Sequence, residues 1–344
     1  MKRIWNKEIL GEMMRCYSVQ TAEIDEKLKL LVASEAEEGG FAVYDAKEHH
    51  CQWRSESTGG TMSMVAIPGA KNTLYVSRKF HPGFQAQEAD VICCRKTDLG
   101  WEESVVLSLP YLHRFDVFQV GDKHIFVGCT LCSSKQSRED WSDPGAIYVG
   151  CLHDDPAKPF SVVPLVTGVL KNHGYWRGIR NGQEVGYIAA ENGVYLFTPG
   201  RTPEQCSCRL IFDRPASEVV FCDFDGDGLE EMAMIAPMHG AQVSILHEDG
   251  RGGYQEVYRC PLDLEFCHAM WAGSFSGESM LICSGRRKEK PLFCVTCQDG
   301  VYDTQVIDTG VGSANVCVYT HEGKQVILSA NNGCHEIALY QMQQ

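Results

Sequence analysis

A unit of four short apolar strands returns along this chain, and a chain built from such a unit has few folds open to it. In the clearest copy an apolar run, Glu218–Phe224, meets a polar turn, Asp225–Leu229, and a second run, Glu231–Pro237. A small-residue loop, Met238–Gly240, leads to Gln242–His247, and a weaker outer run, Tyr254–Cys260, closes the unit. Copies begin near Tyr17, Met62, His113, His173, Ser217, Cys267 and Ser313, at intervals of about 44–60 residues. That period belongs to four-stranded propeller blades. The copy from Ser313 has three strands, Val316–Thr320, Gln325–Ala330 and Glu336–Gln341, before the chain stops. The segment Arg3–Leu10 supplies its missing outer strand and removes an exposed sheet edge. A pair of β-sandwiches also offers regular short strands, but seven copies with a deficient last one favour the ring. The expected fold is therefore an all-β, seven-bladed β-propeller of four-stranded antiparallel blades, a single domain over 1–344.

Composition sets the limits on function. With 31 basic against 45 acidic residues, the formal charge of −14 opposes binding to nucleic acid. No run reaches the roughly 18–20 apolar residues of a membrane span, and Met1–Arg15 is charged throughout, unlike a signal peptide. A cytoplasmic protein with no membrane partner is expected. The 17 cysteines do not suggest a disulfide framework: the count is odd, Cys93 and Cys94 are adjacent, and most sit in strand-like runs. Cys129 with Cys132, and Cys294 with Cys297, have zinc-finger-like spacing. Along a strand, however, residues three apart face opposite ways, so buried thiols between blades are the better reading. Gly250–Gly253 precedes no helix and makes no phosphate loop, there is no dinucleotide fingerprint, and no nucleotide cofactor is expected.

In a propeller, strands A to D run outward from the axis, so D-to-A connections and B-to-C turns share one face, here called the top. His113, His173 and His268 stand where strands A begin, His81 and His239 stand in B-to-C turns, and His335 also falls on the top. Singly, each histidine would pack under an aromatic ring. Jointly, imidazoles from separate blades converge on one axial space, and a ring of them suits a divalent transition ion such as manganese, zinc or iron. His113, His173, His239 and His268 are the expected ligands. Arg78, Arg114, Arg177 and Arg286, with Trp176, are expected to bind substrate, since arginine forks onto carboxylates and hydroxyls. His81, Tyr175 and Glu191 are the candidate acids and bases, with no ranking among them. Glu35, Glu37 and Glu38 add carboxylates at the same level, and Cys132–Pro144 is expected to be a loop over that face, able to serve as a lid. His49, His50, His124, His153, His247 and His321 fall in bottom turns and read as solvated.

Asp223, Asp225 and Asp227, followed by Glu231, make alternating carboxylates on a glycine turn, the oxygen-rich pattern calcium favours. This turn is similar to the loops of FG-GAP or VCBS repeats, in one blade of seven, and the resemblance implies a structural calcium on the bottom face. The blade number and axial histidines loosely resemble the propeller part of aldos-2-ulose dehydratase and the propeller polysaccharide lyases. That resemblance implies a metal-dependent lyase, dehydratase or isomerase acting on a small keto-sugar or sugar acid. Two other functions are open. A non-catalytic scaffold would bind a protein or sugar on the top face, and a calcium-dependent lactonase would use Asn172 and Asn315 at the channel mouth but would leave the histidines idle.

Overall fold

The computed structural model describes residues 3–343. After β1 (Trp5–Glu12), blade 1 is β2 (Cys16–Ile24), β3 (Lys27–Ser34), β4 (Phe41–Asp45) and β5 (Cys51–Arg54). Blade 2 is β6 (Met64–Ala66), β7 (Thr73–Arg78), β8 (Asp90–Thr97) and β9 (Gly100–Ser108). Blade 3 is β10 (Leu112–Val120), β11 (Lys123–Thr130), β12 (Gly145–Cys151) and β13 (Val162–Val169). Blade 4 is β14 (Gly174–Arg180), β15 (Gln183–Ala190), β16 (Gly193–Thr198) and β17 (Ser207–Phe212). Blade 5 is β18 (Glu218–Cys222), β19 (Glu231–Ala236), β20 (Gln242–Glu248) and β21 (Tyr254–Arg259). Blade 6 is β22 (Cys267–Phe275), β23 (Glu278–Gly285), β24 (Leu292–Gln298) and β25 (Val301–Asp308). Blade 7 is β26 (Asn315–His321), β27 (Lys324–Asn331) and β28 (Glu336–Met342), and β1 lies antiparallel along β28 as its outer strand. The propeller expected from the repeat is present, each sheet having four antiparallel strands in simple meander order.

The core lies between blades. One apolar cluster fills each gap between neighbours, as where Leu31 and Val43 of blade 1 meet Leu74 and Ile92 of blade 2. Residues alternate faces along a strand, and both faces of a blade meet another blade, so the middle strands are apolar without alternation. The adjacent thiols follow from this: Cys93 packs between blades 2 and 3, and Cys94 between blades 1 and 2. Cys129 and Cys132 likewise enter different clusters, as do Cys294 and Cys297. Outer strands carry the exposed apolar side chains Val105, Val163, Leu210 and Val257. Among the described residues no helix is long and apolar enough to cross a membrane.

An eighth apolar cluster gathers at the top, from Tyr17, Met62, Phe80, Tyr111, Leu131 and Ala314, with Phe84 and Trp141 against it. It joins the loops above the axis to the first residues of the inner strands. Trp141 belongs to the loop between β11 and β12; it stands edge-on to Phe84 at 5.2 Å, and Lys135 Nζ lies 3.4 Å above its ring. This is the segment expected to extend over the top face, and its Arg138 reaches the axial cavity.

Candidate active site at the propeller axis

The residue just before the first ladder pair of each inner strand sits around the top of the channel. In blades 4, 5 and 7 the pattern is plain: the N–H groups of His173, Ser217 and Ala314 donate to carbonyls of the second strand, those of Ala189, Ile235 and Ala330. His113 and His268 occupy bulges at the starts of β10 and β22, and Tyr17 one at the start of β2. His113, His173 and His268 are buried, at 2%, 1% and 1% exposure. With His239 from the β19–β20 turn they line one cavity of about 170 Å3 under the top face.

The outward nitrogens of His113 and His268 are anchored on carbonyls, and nitrogens of His173, His239 and His268 converge. His113 Nδ1 lies 3.0 Å from the His173 carbonyl and His268 Nδ1 2.5 Å from the Ala314 carbonyl, so each ring donates there and turns its Nε2 inward. His173 Nδ1 faces Glu218 Oε1 at 2.6 Å and Ser217 Oγ at 3.5 Å; the carboxylate contact is not aligned as a hydrogen bond. Across the cavity His173 Nε2 and His239 Nε2 are 3.0 Å apart. The Tyr17 hydroxyl stands 3.0 Å from His268 Nε2 and 3.4 Å from His113 Nε2. Donor atoms of His173, His239 and His268 all lie within 4.8 Å of one another. Metal-binding histidines typically donate their second nitrogen to a carbonyl or carboxylate, which fixes ring and tautomer; His268 is held in that way, and so is the neighbouring His113. His113 lies close to His173, ring centroids 4.6 Å apart and the planes tilted by 34°, but stands outside the converging three.

Electrostatics keep these rings neutral. Burial drives His113, His173 and His268 well below the ordinary imidazole value, and nearby cations push further: Arg114 on all three, Arg286 on His173 and His268. His239, half-buried, is pushed down to about 2 by burial, then by His173, Arg286, Arg138 and Arg287. A neutral imidazole is the form that ligates metal. Burial raises Glu218 to about 8, with Arg114 opposing.

The surrounding chain is held in uncommon conformations. Phe84, His239 and Phe266 are left-handed, with φ of 64°, 51° and 57°, each costing roughly 1–3 kcal/mol. The His239 ring is layered between Phe266, with centroids 4.2 Å apart, and Phe84, at 6.4 Å. Gly174 permits a close approach of the inner strands of blades 4 and 5, since a Cβ there would lie 2.5 Å from the Ser217 carbonyl oxygen and 2.8 Å from Glu218 Oε2.

The structure brings together His81, His113, His173, His239, His268 and Arg286 around this cavity, with Glu35. Arg286 Nη2 donates to Glu35 Oε1 at 3.2 Å and to Asn332 Oδ1 at 2.5 Å. His81 has a buried Nδ1 with no hydrogen-bond partner. Arg114 lies beneath the histidines, donating to the His173 and Met62 carbonyls at 3.1 and 2.7 Å and to Asn315 Oδ1 at 3.3 Å. It lines a second cavity of about 480 Å3 lower in the channel, together with Tyr175, Trp176 and Arg177. There Arg177 forks onto Asp116 with two bonds of 2.8 Å, and the Tyr175 hydroxyl donates to the same carboxylate at 2.8 Å. Arg78 is paired with Asp90, and Glu191 stands 3.5 Å from Lys171; both are away from the two cavities. Tyr17, Glu218, Arg15, Arg138 and Phe266 at or beside the site do not emerge from motif reasoning. For Tyr17 and Glu218 the signal existed: they occupy the starts of inner strands, the positions that drew attention to the histidines.

Asp223, Asp225 and Asp227 lie in the β18–β19 turn on the opposite face, with donor oxygens mutually within 4.8 Å.

Neither a protein-family model nor a curated relative matches the chain in sequence. Solved structures do match in shape. Sqt1 of Saccharomyces cerevisiae superposes with a TM-score of 0.56 at 10% identity, over 94% of this chain and 84% of its own. A 6-phosphogluconolactonase-like protein of Bacteroides uniformis gives 0.54 at 10% identity, over 96% and 89%. An ancestral GH74 enzyme gives 0.60 at 12% identity, over 97% of this chain and 48% of its own. At such identities the likeness is one of fold alone, shared by propellers with unlike names.

Proposed function

We propose that this protein is a metal-dependent enzyme acting on a small keto-sugar or sugar acid, as a lyase, dehydratase or isomerase. One observation carries the reading: three neutral imidazoles from three different connections converge within 4.8 Å inside an axial cavity. A hydrogen-bonded core needs no such set, and three nitrogen donors with an open side suit a catalytic divalent ion. When bound, such an ion polarises a carbonyl or carboxylate and makes the adjoining C–H more acidic.

The chain's own groups divide the remaining work. Arg286, with Arg15 and Arg138 at the rim, offers guanidinium donors to an anionic or hydroxyl-rich ligand. His81, which lines the cavity, is the candidate acid or base there. The Tyr17 hydroxyl can hold an oxygen between His113 and His268. Phe84 and Phe266 wall the cavity with apolar surface and limit water. Neighbours named as a 6-phosphogluconolactonase-like protein and a GH74 enzyme show that related shapes occur among carbohydrate-active proteins.

The test is a screen of keto-sugars and uronates, following ultraviolet absorbance of a new conjugated double bond and, separately, ketose–aldose exchange. We expect turnover only after loading with manganese, zinc or iron, and a fall of at least about a hundredfold in the His239→Ala variant. Turnover that is equal in chelator-treated protein, or undiminished in that variant, contradicts the reading.

A further inference from the structure

The acidic turn of blade 5 resembles a calcium loop in sequence, but its carboxylates are largely engaged in holding the turn. Asp223 accepts N–H groups from Gly226 at 2.7 Å and Gly228 at 3.0 Å, one on each oxygen. Asp227 Oδ1 accepts the Leu229 N–H at 2.8 Å. What the turn does not use lies just behind it. Glu231, the first residue of β19, has a side chain with 0% exposure. Its Oε2 accepts the Phe224 N–H at 2.7 Å, and its Oε1 has no hydrogen-bond partner. A bare carboxylate oxygen in such a place is costly unless something positive meets it.

That oxygen faces a nitrogen. His247, near the end of β20, brings Nε2 to 3.7 Å from Glu231 Oε1 and 3.1 Å from Asp227 Oδ2. Donor atoms of Asp225, Glu231 and His247 lie within 4.8 Å of one another. In the next blade the Tyr302 hydroxyl is also buried without a partner, and burial first, then the nearby Glu231, tightens its hold on its proton.

We propose that Asp225, Glu231 and His247 form a second cation site, on the bottom face, and that it takes a borderline divalent ion such as zinc in preference to calcium. Calcium selects oxygen donors, whereas an imidazole with two carboxylates suits zinc and its neighbours. The site ties the turn between β18 and β19 to β20, so its role is to fix blade 5. It stands apart from the axial histidines and from the reading of their chemistry.

Calorimetric titration of the full chain with zinc chloride, and separately with calcium chloride, tests this. One zinc equivalent should weaken by at least about tenfold in both His247→Ala and Glu231→Gln, while His239→Ala leaves that equivalent unchanged. His247 is at the surface, so its variant is expected to keep the fold even if Glu231→Gln does not. Zinc should raise the melting temperature of the wild type more than that of His247→Ala. Zinc binding unaffected by His247→Ala, or calcium binding tighter than zinc, overturns the proposal.

Discussion

At the scale of single residues, the axial histidines carry a measurable signature in the metal-free protein. Four imidazoles are held below their ordinary value of 6.5. In the unfolded chain they take up protons as pH drops through about 6.5, while in the folded chain they stay neutral. The unfolded state then binds more protons, so folding stability falls on acidification. Glu218 works the other way: raised to about 8, it holds a proton when folded that the unfolded chain releases above about pH 4.5, so its contribution declines as pH rises through that window. His247, Glu230 and Glu231, also raised, act in the same direction as Glu218, and the four axial imidazoles together outweigh them. Between pH 7 and 5 the stability of metal-free protein should drop more steeply than the roughly 1.4 kcal/mol per pH unit of a single titration. Denaturant midpoints across that range check it, and a flat or rising profile would mean that the histidines are open to solvent. Asp45 and the other carboxylates with lowered values act only at lower pH.

At the scale of strands and turns, the residue count along an inner strand decides which candidates meet. A strand advances about 3.3 Å per residue. Tyr175 and Arg177 follow His173 by two and four positions, so they line the lower cavity, bonded to Asp116. Arg78 and Glu191 lie at or just beyond the ends of second strands, one strand spacing farther from the axis, and pair with Asp90 and Lys171. The repeat made the blades, their starts and the top-face set of histidines legible. It could not show which of those rings converge, because bulges at the starts of β2, β10 and β22 set their aim. Nor could motif search weigh Tyr17 or Glu218, which matter through position rather than residue type. Ring closure by β1 is a property at this scale too. Its ladder on β28, and the packing of Trp5 5.5 Å from Phe275, cover an edge between blades 6 and 7. Deleting residues 3–12 should lower stability by more than about 3 kcal/mol, counting roughly 1 kcal/mol for each lost backbone bond, and promote association through the bared edge. A deletion protein that stays monomeric with an unchanged melting temperature would show that closure does not depend on this strand.

At the scale of the whole molecule, a formal charge of −14 surrounds an axial cavity whose rim is cationic. Arg15, Arg138 and Arg286 line it against the single carboxylate of Glu35, which contacts both Arg15 and Arg286. A locally positive opening in an acidic protein concentrates small anions at that place while the rest of the surface repels them. The ring architecture makes this possible, because seven inner strands deliver side chains from distant parts of the sequence to one axis. His113 and Tyr17, for example, are 96 residues apart in the chain and 3.4 Å apart in space. The central claim is that these converging rings hold one divalent ion. The most direct measurement is the transition-metal content of purified, zinc-loaded protein after desalting, for the wild type, His247→Ala, and His247→Ala combined with His239→Ala. With the bottom site removed by His247→Ala, about one ion per chain should remain at the axis, and the added loss of His239 should remove it. Equal metal content in the last two proteins would contradict the account.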